Sequence, residues 1–219
     1  KRWPRSCTGR SGEDPREHLM PVNRISVPRT PRDLPYVHFF DEIQGWFNFQ
    51  RPYREALEAA TDDSVFVELG CWKGKSAAFM MVEALRLGKN PRLHFVDHWG
   101  GSYELAHTAD PDLTRIYEMF LENCIRTGYR NYEVHRSDSA KAASLFPDNS
   151  VDFLWIDAGH DYDSVRADIL AWQPKLKERS TVGGDDYPME GVTKAVNEIY
   201  PQAEIGSEGG WKWWRVKKL

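Results

Sequence analysis

The chain predicts an α/β fold: a mostly parallel sheet with helices on both faces, closed by an antiparallel hairpin. Short apolar runs alternate with helical patterns from residue 64 onward. Glycine or proline punctuates many of the junctions between them. The last two strand-like runs are separated by Gly209-Gly210, a hairpin signal. Strands alternating with helices give parallel pairing, because right-handed crossovers lay the helices over the sheet faces.

Each element has its own signal. "SVFVEL" reads as a buried strand, and "KSAAFMMVEALRLG" as a helix ended by Gly88. "RLHFVD" is a second strand, and "DPDLTRIYEMFLENCIRTG" a helix that starts after Asp110 and closes at Gly128. "NYEVHRSD" and "SVDFLWID" are the third and fourth strands, "YDSVRADILAWQPKL" a helix, "RSTVGGDD" a short fifth strand and "EGVTKAVNEIY" another helix. "AEIGSEGGWKWWRVKK" supplies the hairpin.

Before these elements, residues 1–35 hold Pro4, Pro15, Pro21, Pro28, Pro31 and Pro35 among many arginines, with almost no apolar periodicity. Such a segment buries little and reads as an extended arm, a flexible tail more readily than a partner-binding one. Residues 36–219 form the domain, whose first part, residues 36–60, is an aromatic cap with a helix running to about Ala60. Phe39, Phe40, Trp46, Phe47, Phe49 and Tyr53 could lid a pocket there, or only cover one end of the sheet. The same aromatic region could self-associate.

The chain has 219 residues, 41% of them hydrophobic, enough for one full core. A net charge of -4, with no basic stripe interleaved with aromatics, argues against nucleic acid as a partner. The three cysteines, Cys7, Cys71 and Cys124, have no C-x-x-C spacing, which argues against a disulfide framework or a zinc knuckle and points to a reducing, cytoplasmic setting. No apolar run is long enough to span a membrane, so no membrane partner is expected. The chain begins at Lys1 without an initiator methionine and reads as an engineered, processed or truncated product.

The stretch "FVELGCWKGKSAA" is a strand, a glycine turn and a helix start, the setting in which backbone holds a nucleotide-like ligand. Gly74, Lys75 and Ser76 suggest a phosphate cradle and a nucleotide hydrolase. That motif needs four residues between its glycines, and only three separate Gly70 from Gly74; Lys75 and Ser76 also serve as ordinary first-turn helix residues. The other reading uses acids at strand ends. Glu68 lies in the first strand, and Gly70, lacking a Cβ, lets backbone come close to a ligand. Asp97 ends the second strand, where a carboxylate can accept both ribose hydroxyls. Asp138, after the third, is placed to meet an adenine amino group. Three acids with no phosphate cradle suit a cationic adenosine ligand.

"VELGCWKGKSA", "FVDHW", "LWIDAGHDYDSVRADILAWQPKL" and "GGDDY" together resemble a class I S-adenosylmethionine-dependent methyltransferase. The resemblance is greatest to the magnesium-dependent O-methyltransferases of macrolide and aminocoumarin sugars, over about residues 40–216. It implies a Rossmann-like seven-stranded methyltransferase sheet whose last strand is antiparallel, in agreement with the hairpin. The turn departs from the family's common G-x-G-x-G, being G-C-W-K-G here. Trp72 would then shape the methionine end of the pocket or simply pack. The resemblance implies Glu68, Gly70, Trp72, Gly74, Ser76, Asp97, His98, Asp138 and Asp157 around the cofactor, with His98 packing beside it.

Asp157 ends the fourth strand and Asp185-Asp186 the fifth, so three carboxylates should share one rim of the sheet. A hard divalent cation relieves their repulsion, and oxygen-only ligation with open positions matches Mg2+. The resemblance implies the same set: Asp157, Asp185 and Asp186 hold the metal and His160 is the base. The expected activity is metal-assisted O-methylation of a small hydroxylated molecule such as a sugar. A plainer account makes Asp157 a helix cap, Asp185-Asp186 a solvated turn and His160 a hydrogen-bonded partner, leaving a binding module without catalysis. Asp161 and Asp163 are expected at a helix N-terminus. Trp155, Trp172, Trp211, Trp213 and Trp214 are expected in core and hairpin packing.

Overall fold

A computed structural model describes residues 36–102 and 104–218; the Pro/Arg-rich arm lies outside the described residues. Helix α1 (Gln50–Ala59) precedes strand β1 (Val65–Leu69), α2 (Lys75–Leu87), β2 (Arg92–Asp97), the short α3 (Leu105–Thr108), α4 (Ile116–Thr127) and β3 (Tyr132–Arg136). The one-turn α5 (Ser139–Ala142), β4 (Val151–Ile156), α6 (Tyr162–Trp172), β5 (Leu176–Gly184), α7 (Glu190–Ile199), β6 (Glu204–Glu208) and β7 (Trp211–Lys217) follow. The seven strands form one sheet in the order β3-β2-β1-β4-β5-β7-β6. The first five run parallel; β7 is inserted antiparallel between β5 and β6. This is the Rossmann-like seven-stranded methyltransferase sheet expected from the sequence, hairpin included.

Two apolar layers hold it. On one face the rings of Phe66, Phe95, Phe153 and Trp155 pack with α1, α2 and α4; on the other Val67, Leu69, Val96, Leu154 and Ile156 pack with α6 and α7. Alternating strand residues therefore serve opposite faces, and both are apolar because both are covered. Helix α2 is buried from Ser76 to Ala84, which explains why its sequence is apolar nearly all round. Gly88 and Gly128 end α2 and α4 in the left-handed conformation, as the helix stops implied.

Three boundaries differ from expectation. The stretch from Pro111 to Arg115 is a run of turns, so α4 begins at Ile116. Helix α6 ends at Trp172 because Pro174 cannot continue it; a 3-10 turn spans Gln173–Lys175. Strand β5 then starts at Leu176, its polar first half "LKER" lacking the apolar pattern of a central strand. The aromatic cap is mostly core: Phe47, Phe49 and Tyr53 are buried and pack on Phe79, Trp155 and Phe153. Trp46 stays about half exposed.

Candidate active site

Strand order reverses between β1 and β4, so their C-terminal ends flank the crevice where open α/β sheets bind ligands. Gly70 sits there with φ +82°, and a Cβ on it would lie 1.9 Å from the carbonyl oxygen of Asp157. The close approach that demands glycine is thus between the two chain segments, where a ligand had been expected to demand it. The Asp157 N–H donates to the Leu69 carbonyl at 2.8 Å and locks the junction.

Asp97 is tied into the turn itself. Its Oδ2 accepts from the backbone N–H groups of Cys71 (2.8 Å) and Trp72 (3.0 Å), and its Oδ1 from that of Trp99 (2.6 Å). A carboxylate offers roughly four lone-pair sites. With three engaged, Asp97 organises the glycine turn and has one position to spare. The same bonds remove the phosphate-cradle reading: the Cys71 and Trp72 amides go to Asp97, the Gly74 amide to the Cys71 carbonyl, and the Ser76 hydroxyl to Glu68 Oε1. Gly74, at φ +86°, opens α2 against the Phe120 ring. Lys73 is buried, its Nζ 2.9 Å from Asp110 and 2.9 Å from Asp112, which ties the turn to the segment before α4.

Trp72, at φ +47°, donates from its indole to Gln44 Oε1 and stacks on His107 with ring centroids 4.2 Å apart. Trp46 stands 5.5 Å from the same His107 ring. These are the points where the aromatic cap reaches the rim. Asp138 caps α5, accepting from the Lys141 N–H at 3.2 Å. His98 is exposed and accepts from the Gly100 N–H.

Glu68 is buried, with Oε2 lacking a hydrogen-bond partner. Burial, reinforced by the Asp157 charge, pushes its carboxyl up to about 8 against the opposing Ser76 bond. An acid whose pKa rises on folding stabilises the fold fully below its unfolded value and loses that contribution as pH climbs through the folded one. Glu68→Gln is therefore expected to match the wild-type chain in urea melts at pH 4 and to gain on it steadily towards pH 8 (about the folded pKa). A constant difference across that range would refute the assignment.

On the β4 and β5 ends, ligating atoms of Asp157, His160 and Asp186 lie within 4.8 Å of one another. His160 Nδ1 is 2.7 Å from Glu104 Oε1, and its Nε2 is 2.9 Å from Asp186 Oδ2 and 3.8 Å from Asp157 Oδ1. Nε2 is buried without a hydrogen bond, so the approach to Asp186 is an ion-pair contact. Burial opposes protonation of His160, but the neighbouring carboxylates of Asp157 and Asp186 prevail and push the imidazole up to about 11. Asp186, at φ +54°, is held below its ordinary value by His160 and Trp211 despite burial. The Trp211 indole donates to Asp186 Oδ1 at 2.7 Å, so this tryptophan, expected only to pack, supports the rim. Asp185 is outside the converging group. Burial, with Asp157 and Asp186 nearby, pushes it up to about 8, and its Oδ1 is buried without a partner. Asp161 caps α6 and Asp163 lies in its first turn, as expected.

Sequence reasoning missed Glu104 and Trp211. Glu104 immediately precedes α3, and nothing local ties it to a histidine 56 positions away.

A mostly parallel seven-stranded sheet with an inserted antiparallel strand, a glycine turn after β1 and acids along the C-terminal rim is the framework of the class I S-adenosylmethionine-dependent methyltransferases. The methyltransferase domain profile matches residues 67–187, more than half of the chain. The chain belongs to that family. It is 31% identical over 162 residues to the uncharacterized protein y4gI of Sinorhizobium fredii (strain NBRC 101917 / NGR234), covering 74% of this chain and 16% of that one. The chain thus spans about a sixth of the length of this curated relative. Among solved structures, the O-methyltransferase NovP shares the fold at TM-score 0.59 and 15% identity, covering 78% of this chain and 79% of its own. An rRNA methylase from Streptococcus thermophilus does so at TM-score 0.56 and 13% identity, over 76% and 93%. Among the described residues no helix is long and apolar enough to cross a membrane.

Proposed function

We propose that the chain methylates an oxygen of a small hydroxylated acceptor such as a sugar, drawing on S-adenosylmethionine, with Mg2+ held at Asp157 and Asp186. The observation that carries this is the convergence of Asp157, His160 and Asp186 on the rim beside the glycine turn. A buried oxygen there, Asp185 Oδ1, has no hydrogen-bond partner, and a second, Glu68 Oε2, lies at the β1 end. Uncompensated buried polar atoms are costly, and a bound cation or ligand would satisfy them. The oxygen donors suit a hard cation. The O-methyltransferase NovP supports oxygen as the acceptor atom, and a net charge of -4 favours a small acceptor over nucleic acid. Buried free thiols at Cys71 and Cys124 agree with a reducing cytoplasmic setting.

When bound, S-adenosylmethionine would supply the electrophilic methyl and Mg2+ the Lewis acidity that lowers an acceptor hydroxyl's pKa. The chain's own residues do the rest. Glu68 and the single free position on Asp97 orient the adenosine portion. Glu104 fixes His160 through Nδ1, which leaves Nε2 aimed at the carboxylates. His160 is an imidazolium in this arrangement and takes a proton only once the negative charge around it is offset by a cation on the same carboxylates.

Calorimetry with S-adenosylhomocysteine should show one site per chain, and turnover on a panel of hydroxylated acceptors should stop with a chelator and return with Mg2+. Absence of nucleoside binding at millimolar ligand would remove the cofactor reading; turnover indifferent to chelation would remove the metal.

A further inference from the structure

A second cluster of ligating side chains lies on β2 and β3, on residues that the transfer reaction does not use. His94 and Glu133 are register partners, and His135 follows two residues along β3 on the same face. His94 Nδ1 is 3.0 Å from His135 Nε2 and 4.0 Å from Glu133 Oε2, and the three ligating atoms lie within 4.8 Å of one another. Phe146 closes over both rings, with centroids 5.0 Å from His94 and 5.5 Å from His135.

We infer that His94, His135 and Glu133 form a binding site for a borderline-soft divalent cation, Zn2+ by its chemistry, distinct from the acidic group on the β4 and β5 ends. Two imidazole nitrogens and one carboxylate are a three-ligand set that leaves a fourth tetrahedral position to water. With metal–ligand bonds of about 2.0–2.2 Å, tetrahedral ligand atoms stand roughly 3.3 Å apart. The two nitrogens already meet that spacing within a few tenths of an ångström. The Glu133 carboxylate, on a side chain 42% exposed, has the freedom to close the remaining gap. At 3.0 Å the two ring nitrogens are within hydrogen-bond distance, and between neutral rings one of them must carry the bonding proton. Metal binding requires that proton to move to the far nitrogen of its own ring, a tautomer change with no net release. Burial, the His135 ring and Arg92 hold His94 down to about 3, and burial also lowers His135, so both rings are neutral ligands at ordinary pH.

The two clusters differ in chemistry as well as place. Nitrogen-rich ligation selects zinc-like ions, whereas the oxygen donors of Asp157 and Asp186 select magnesium-like ones. Strand β3 is the parallel edge of the sheet, and an ion bridging it to β2 would clasp that edge.

The test is Zn2+ titration of the full chain by calorimetry in excess Mg2+, with Co2+ absorption as a second readout of coordination. One equivalent of zinc is expected, with tetrahedral Co2+ bands. His135→Asn should weaken binding at least about a hundredfold and Glu133→Gln about tenfold, while Asp157→Asn with Asp186→Asn leaves it unchanged. Circular dichroism of His135→Asn, whose side chain is only partly buried, checks that the fold is retained. Absence of zinc binding by the wild-type chain, or binding undiminished in His135→Asn, would overturn the assignment. So would loss of zinc in the paired aspartate variant, which would place the ion at the acidic rim.

Discussion

In Asp186→Asn, methyl transfer is expected to fall at least about a hundredfold, and the His160 imidazole to descend from about 11 towards its ordinary range. The substitution is chosen for its conservatism. Asparagine is among the residues that accept the left-handed conformation Asp186 adopts at φ +54°, and its side-chain oxygen can still receive the Trp211 indole. What it removes is one negative charge 2.9 Å from His160 Nε2. His160 is only 13% exposed, so solvent cannot make up for that loss. Proton NMR of the histidine C–H resonances reads the shift without any acceptor, which separates the electrostatic claim from the catalytic one. An imidazole that titrates unchanged in the variant would mean that Asp186 does not hold the proton on His160. Normal turnover would mean that this carboxylate has no part in the reaction.

Gly70→Ala is expected to remove most of the stability of the chain. The new methyl would lie 1.9 Å from the Asp157 carbonyl oxygen and 2.5 Å from its carbon, both backbone atoms in a junction of paired strands. Strain at φ +82° adds to this. Left-handed strain of about 1–3 kcal/mol and overpacking of about 1–3 kcal/mol together approach the lower end of total domain stability, about 5–15 kcal/mol. Gly88→Ala is the control. Gly88 also has a positive φ, +65°, but a Cβ there meets nothing within 4 Å, so only the conformational part is lost. Urea denaturation of the two variants should therefore differ by about 1–3 kcal/mol; equal losses would show that the contact with Asp157 relaxes at no cost.

What the sequence made legible was whatever local physics decides. Glycine stops at 88 and 128, the Asp161 cap and the Gly209-Gly210 hairpin all depend on neighbours within a turn, and all are found. The strand-end position of each acid followed from the alternation of elements. The partners of those acids did not follow, because partners are set by the sheet. Asp97 faces amides 25 and 26 residues earlier, and nothing local to it foretells that the turn engages it. Glu104 and Trp211 escaped for the same reason, as did the His94 and His135 pair on adjacent strands. The start of β5 was hidden by "LKER", which is polar and helix-favouring in isolation; Leu176 pairs with Val151 of β4, and the register then shifts until Thr181 meets Phe153.

Arg215 of β7 reaches Glu55 of α1, 160 residues earlier, and Glu204 of β6, while Trp211 of the same strand supports Asp186. The acidic rim thus leans on a strand that carries none of its converging groups. Loss of the hairpin would disturb the rim from a distance, leaving every ligating side chain in the sequence while removing the brace on Asp186.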